Sequence, residues 1–315
     1  MNLQVLNFDD ALLRQRPFLD AHDPNIIDFR DWGPQIRMGC SFPRFRRFEE
    51  ELDAALGNDP APALTMLGSG DFHHVTLALL RRLPEPFVLL ILDNHPDWMA
   101  GVPFLHCGTW LRHALKMPTL ERVIHLGGNA DFDNAFRFVA PKNRLRDRTI
   151  LITPGEHSLL RGFWKGVPNE PLIDHSPAQM TGSRLEALLV ELAPLLNQKN
   201  IYVSFDKDVL TADDAVVNWD SGKLRLPHAL EILDGIFESC DARLVGMDVC
   251  GDWSPVVTQG AFRRCLHWLE HPRLSIDLDV ANQINAETNL SILQLVQTAR
   301  TAGVVKAFRR SARAG

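Results

Sequence analysis

Residues 87–92, Phe-Val-Leu-Leu-Ile-Leu, form an unbroken apolar run that stops at Asp93. A strand with one face in water alternates polar and apolar side chains, whereas this one offers solvent nothing on either face. Strands of this kind are stable where helices cover both sides of a parallel sheet. Elsewhere, short apolar runs that end at Gly, Asp or Asn alternate with longer amphipathic stretches. The pattern predicts strands at Leu3–Asn7, Leu64–Leu67, Phe87–Leu92, Val123–Leu126, Thr149–Ile152, Ile201–Phe205 and Leu244–Val249. It predicts helices at Phe45–Leu56, Val75–Leu83, Trp110–Met117, Leu185–Gln198, Ala229–Ser239, Gln259–Glu270 and Ala286–Thr301. We expect an α/β fold, three layers (α/β/α) with a mostly parallel central sheet, as a single domain over residues 1–315. The turn-rich segments Pro154–Met180 and Thr211–Pro227 are expected to be lids or pocket loops.

Composition removes several classes of function. At 45% apolar and 23% charged residues, disorder is excluded. A net charge of −6 argues against a nucleic-acid partner, which needs a basic patch to displace counterions. The local clusters Arg44, Arg46, Arg47 and Arg309, Arg310 read as solvated faces. No apolar run reaches membrane-spanning length and residues 1–10 lack the pattern of a secretion signal, so a cytoplasmic location with no membrane partner is expected. The cysteines Cys40, Cys107, Cys240, Cys250 and Cys265 are odd in number and lack C-x-x-C spacing, which favours reduced thiols and places the chemistry elsewhere.

The chemistry is concentrated where strands end. In D-N-H-P-D, Asp93, His95 and Asp97 follow the first apolar run, and in an extended segment positions i, i+2 and i+4 share one side. The strand I-Y-V-S-F ends in D-K-D, which pairs Asp206 with Asp208 by the same rule. In open parallel sheets ligands bind beyond the carboxyl ends of the strands. Were these two strands neighbours, four carboxylates would crowd one partly buried volume, and a cation is the economical relief. A third element, G-S-G-D-F-H-H-V-T, puts His73 and His74 at a helix start on the same edge; we expect one of them to be a ligand and the other not.

With the three motifs in this order, the chain resembles the arginase, agmatinase and formiminoglutamase (ureohydrolase) superfamily of binuclear manganese hydrolases, as a divergent member, over roughly Leu64 to Pro255. The family's D-A-H-x-D is D-N-H-P-D here, and its S-x-D-x-D is S-F-D-K-D from Ser204. Its G-G-D-H-S is altered, and alignment through H-H-V-T assigns the ligand to His73. The resemblance implies the family's α/β/α fold and two Mn²⁺ ions held by His73, Asp93, His95, Asp97, Asp206 and Asp208, with Zn²⁺, Fe²⁺ or Co²⁺ as alternatives. It further implies hydrolysis of a linear C–N bond in a small guanidino, amidino or amide substrate by a metal-bridging hydroxide. Asp97 and His106, the latter in H-C-G-T, are the candidate proton-transfer groups. The family's D-V-V-E is D-V-C-G-D here, so Gly251 replaces the glutamate that holds a guanidinium and Asp252 is the candidate substitute; Trp98 and Trp219 are candidate pocket walls. Two other readings follow from the same residues: a deacetylase-like amide hydrolase with one zinc, and a non-catalytic metal-binding protein. Assembly into a homo-oligomer is compatible with all three.

Overall fold

The computed structural model describes residues 2–57, 63–100, 103–127, 149–152, 182–239, 242–260 and 276–314, together with Arg264, Cys265 and His267. Eight strands, β1 (Asn2–Asn7), β2 (Asn25–Asp28), β4 (Ala63–Gly68), β5 (Phe87–Leu92), β7 (Leu120–Leu126), β8 (Thr149–Ile152), β9 (Asn200–Asp206) and β10 (Arg243–Cys250), form one sheet in the order β2-β1-β4-β10-β9-β5-β7-β8. Every pairing in it is parallel, which tightens the expectation of a mostly parallel sheet. A two-stranded antiparallel piece joins β3 (Gly39–Cys40) to β6 (Leu105–His106).

All six side chains of β5 are buried, as an apolar run without alternation requires. Each such side chain contributes roughly 1.5–3 kcal/mol through water exclusion. The covering helices are α1 (Arg16–His22), α2 (Gly33–Ile36), α3 (Phe42–Leu56), α4 (Thr76–Arg81), α5 (Trp110–Ala114), α6 (Ser183–Leu196), α7 (Leu226–Ser239) and α8 (Leu278–Ala314). In succession α1, α8, α7 and α6 pack against one another, while α4 packs against α5. Phe45, Phe48 and Leu52 of α3 are buried at helical spacing, which is why that amphipathic stretch forms a helix against the core.

The expected strands at Phe87–Leu92 and Thr149–Ile152 occur with those bounds, and the other five extend by one to three residues at one or both ends. The edge strand β2 and helix α1 carry no apolar run long enough to show periodicity, so sequence reasoning passed over both. The helix expected over Val75–Leu83 occurs, shortened, as α4 (Thr76–Arg81), and a 3₁₀ turn over Gly70–Val75 leads into it. The segment Pro154–Met180 lies outside the described residues, as does most of Gln259–Glu270. Among the described residues no helix is long and apolar enough to cross a membrane.

Candidate metal centre

Strands β5 and β9 are direct neighbours, with Leu92 opposite Phe205, so the two acidic motifs that follow them meet at the carboxyl edge of the sheet. They converge by bending, not by the strand alternation expected from sequence. After Leu92 the chain turns: the backbone N–H of His95 donates to Asp93 Oδ1 (2.7 Å), and Asp97 adopts a left-handed φ of 47°. That conformation is costly for a residue with a Cβ and persists where the surroundings enforce it. Trp110 Nε1–H donates to Asp97 Oδ2 (2.5 Å) and the N–H of Leu111 to its carbonyl (2.9 Å), so α5 holds this bend. Asp206 closes β9 and caps a 3₁₀ turn over Lys207–Val209, its Oδ1 accepting from the N–H of Asp208 (3.0 Å).

Six side chains come together there. Nδ1 of His73 lies 2.9 Å from Asp97 Oδ2 and 3.4 Å from both Asp93 Oδ2 and Asp206 Oδ2. Nδ1 of His95 is 2.7 Å from Asp208 Oδ2. Donor atoms of His73, Asp93 and Asp97 fall within 4.8 Å of one another, as do those of Asp93, His95 and Asp208 and those of His73, Asp206 and Cys250. Asp93 belongs to two of these triads. His74, one residue from His73, turns the other way; it is buried beside Phe45, and neither ring nitrogen has a hydrogen-bond partner among the described residues.

The electrostatics are those of a site short of positive charge. Burial and the neighbouring Asp97 and Asp208 push the Asp93 carboxyl well above the usual carboxylate range, and burial with Asp208 pushes Asp206 up to about 7. Burial opposes a charge on His73 and His95 too, but the aspartates win and raise both to about 9. Burial, with the nearby His106 and His73 rings, lowers His74 to about 3. Asp93 Oδ2 is buried with no hydrogen-bond partner among the described residues. Four carboxylates facing two imidazoles, one orphaned oxygen and two triads sharing Asp93 are a donor set that fits divalent cations. The outer face of His73 is also organised: its Nε2 lies 3.0 Å from Ser204 Oγ, which donates to Asp248 Oδ1 (2.9 Å), itself bonded by Thr76 Oγ1 (3.1 Å). Such an outer relay fixes which ring nitrogen faces inward.

A cavity of about 250 Å³ opens onto the cluster, lined by the metal-motif residues together with Gly70, Met99, His106, Cys107, Trp219 and Asp220. A larger hollow of about 880 Å³ lies at the opposite, amino-terminal edge of the sheet and contains none of the motif residues. His106 reaches the cavity from β6; its Nδ1 accepts from the N–H of Gly108 (3.0 Å), which leaves Nε2 as the N–H nitrogen of the neutral ring. Trp219 comes from the loop between β9 and α7, with its ring 5.6 Å from that of His95. Its indole N–H donates to Asp71 Oδ1 (3.0 Å), and Asp71 in turn is paired with buried Arg37 (2.6 Å).

The other two expected substrate contacts sit elsewhere. Trp98 is buried edge-on to His125 and does not line the cavity. Asp252 is wholly buried and takes Lys207 Nζ (2.6 Å), Gln15 Nε2 (2.6 Å) and Asn289 Nδ2 (3.2 Å) on one oxygen. Lys207 points away from the flanking Asp206 and Asp208, because a 3₁₀ turn separates its side chain from theirs. Sequence reasoning missed Trp110, Asp71, Arg37 and the Lys207–Asp252 pair, because the contacts Trp110–Asp97, Arg37–Asp71, Lys207–Asp252 and Asp71–Trp219 span 13 to 148 residues and carry no local motif.

Gly251, where the family's glutamate is absent, has φ +93°, and a Cβ there would lie 2.6 Å from Asp206 Oδ1 and 2.8 Å from Lys207 N. A side chain is excluded on both steric and backbone grounds. Gly251→Ala is expected to displace Asp206 and to weaken binding of divalent metal at least tenfold in equilibrium dialysis, since about 1.4 kcal/mol of combined strain and clash suffices for that. Wild-type metal affinity in this variant would show that the approach of Gly251 to Asp206 is immaterial.

An all-parallel α/β sheet with a His/Asp cluster at its carboxyl edge defines the class of this protein. No family model matches the chain. An uncharacterized protein of Thermotoga maritima is 27% identical over 193 residues, a match that spans 61% of this chain and 59% of that relative. Among solved structures, proclavaminate amidino hydrolase from Streptomyces clavuligerus superposes with a TM-score of 0.56 at 16% identity, covering 95% of this chain and 92% of that one. Formimidoylglutamase from Bacillus subtilis gives 0.55 at 15%, over 94% and 86%. A variant of Trypanosoma cruzi formiminoglutamase with Mn²⁺ gives 0.50 at 14%, over 92% of each chain. The chain therefore shares the α/β fold of these solved structures.

Proposed function

We propose that this protein is a metal-dependent hydrolase of a linear C–N bond in a small guanidino, amidino or amide compound. The observation that carries the reading is the sharing of Asp93 between His73–Asp93–Asp97 and Asp93–His95–Asp208, with Asp206 alongside, a donor set that would hold two divalent ions. Oxygen-rich donors with one imidazole for each ion suit Mn²⁺, with Fe²⁺, Co²⁺ or Zn²⁺ as alternatives. Two bound dications would polarise a water so that it is nucleophilic near neutral pH. The chain's own groups supply the rest. Asp97, anchored by Trp110, is placed to take the water's proton, and His106 Nε2–H to give one to the departing amine. Trp219, fixed through Asp71 and Arg37, walls the cavity and limits the body of the substrate. Asp252 is committed to Lys207, so recognition of a guanidinium or amidinium falls to other groups at the cavity, among which Asp220 carries a suitable charge.

Gly251 and the commitment of Asp252 favour a second reading, a metal-binding protein without turnover. One experiment separates them: metal content by elemental analysis, followed by a screen of guanidino, amidino and acylated amine compounds with added Mn²⁺. Two ions per chain and release of urea, formamide or ammonia from any of these is the expected result. Two ions without turnover would select the second reading, one zinc with deacylation would select a deacetylase-like enzyme, and no bound ion would defeat all three.

A further inference from the structure

We propose that Cys250 is a metal-ligating residue, giving the ion held by His73 a sulfur donor that the flanking oxygen sites lack. The inference rests on the reading of the site as a metal centre, and goes beyond it in assigning a donor that neither the motifs nor the resemblance supplied.

The geometry comes from strand register. In the β9–β10 pair, Ser204 is opposite Asp248 and Asp206 is opposite Cys250. Residues paired across parallel strands, and residues two apart along one, share a face of the sheet. All four side chains therefore project to the same side, where His73 arrives from the 3₁₀ turn after β4. Ser204 and Asp248 occupy the lower step of this ladder and secure His73 Nε2. Asp206 and Cys250 occupy the upper step, at the level of the acidic cluster. Donor atoms of His73, Asp206 and Cys250 lie within 4.8 Å of one another, a spacing that a single ion with metal–sulfur bonds of about 2.3 Å and metal–nitrogen or –oxygen bonds of about 2.0–2.2 Å spans after small side-chain rotations.

Cys250 is fully buried, so it is shielded from the solvent-borne oxidants and thiols that would give a surface cysteine a different role. Coordination exchanges its thiol proton for the ion, and that proton leaves to solvent. The two ion positions then differ in kind. The position at Asp93, His95 and Asp208 is built from oxygen and nitrogen, whereas the one at His73 gains a soft, polarisable ligand that favours Co²⁺, Fe²⁺ or Zn²⁺ over Mn²⁺.

The test uses the full chain stripped by a chelator and titrated with Co²⁺ under anaerobic conditions, with absorbance and bound cobalt followed together. The expected result is a sulfur-to-cobalt charge-transfer band in the near ultraviolet that saturates with one of two bound ions. The band should vanish in Cys250→Ser with cobalt still bound, and persist in Cys107→Ser, which removes the other thiol near the cavity. Wild-type protein that binds two cobalt ions without the band overturns the inference while leaving the metal centre standing; the wild-type spectrum decides this even if Cys250→Ser does not fold. A band that survives in Cys250→Ser overturns it as well, and wild-type protein that binds no cobalt removes the metal centre and the inference together.

Discussion

Asp93→Ala is expected to abolish metal binding at both positions, and with it any hydrolysis, while the protein stays folded. Asp93 is the residue the His73–Asp93–Asp97 and Asp93–His95–Asp208 triads share, and its Oδ2 is a buried oxygen without a hydrogen-bond partner among the described residues. Its contribution as an apo side chain is unfavourable: burial and three other aspartates oppose its charge. Removing it should therefore leave the stability of metal-free protein unchanged or raised, the reverse of most core truncations. Loss of both ions would withdraw several kcal/mol of transition-state stabilisation, about a thousandfold or more in rate at 1.36 kcal/mol per decade. Elemental analysis and denaturant unfolding of the chelated protein check the two halves separately. Undiminished metal content would mean that Asp93 does not bridge, and a large loss of apo stability would mean that the cluster is held together by direct ion pairs.

Lys207→Met makes the opposite prediction, a loss of about 3–5 kcal/mol of stability even in metal-free protein. Lys207 and Asp252 are both fully buried, 2.6 Å apart, and Asn289 on α8 and Gln15 before α1 add further hydrogen bonds to the pair. Methionine fills a similar volume, so the penalty isolates the carboxylate left without its cation. Lys207→Met combined with Asp252→Leu removes both charges and should recover most of the loss, because the pair contributes less than its breaking costs. Urea midpoints for the two singles and the double form the cycle. A single variant as stable as wild type would show that Asp252 is neutral or finds water. Because Lys207 sits between Asp206 and Asp208, its anchorage also ties the metal motif to α8.

Much of this architecture is legible in the chain. The run Phe87–Leu92 has no polar face, so it had to be a central strand, and its neighbours alternate with helical stretches as βα units do. The acidic motifs lie directly after such strands, which places them on one edge of the sheet whatever the strand order. Less was legible in how they converge. Strand alternation would align Asp93, His95 and Asp97 only if the strand continued, yet the chain bends, and Asp97 is held in a left-handed conformation by contacts from Trp110 and Leu111. Trp98 and Trp219 are alike in sequence, each beside a motif, but one packs into the core against His125 and the other faces the cavity. Asp252 beside the missing glutamate looked like its replacement, and a lysine 45 residues away claims it.

By itself the sequence determined which residues are apolar enough to form the sheet and which carboxylates and imidazoles end its strands, since burial and period-two or helical spacing act over a few residues. Only the tertiary structure decided that β9 lies beside β5, that Lys207 and not a substrate pairs with Asp252, and that Cys250 stands next to Asp206. Those outcomes depend on strand order, register and pairings between residues far apart in the chain, and such long-range partners leave no periodic trace in the residues that make them.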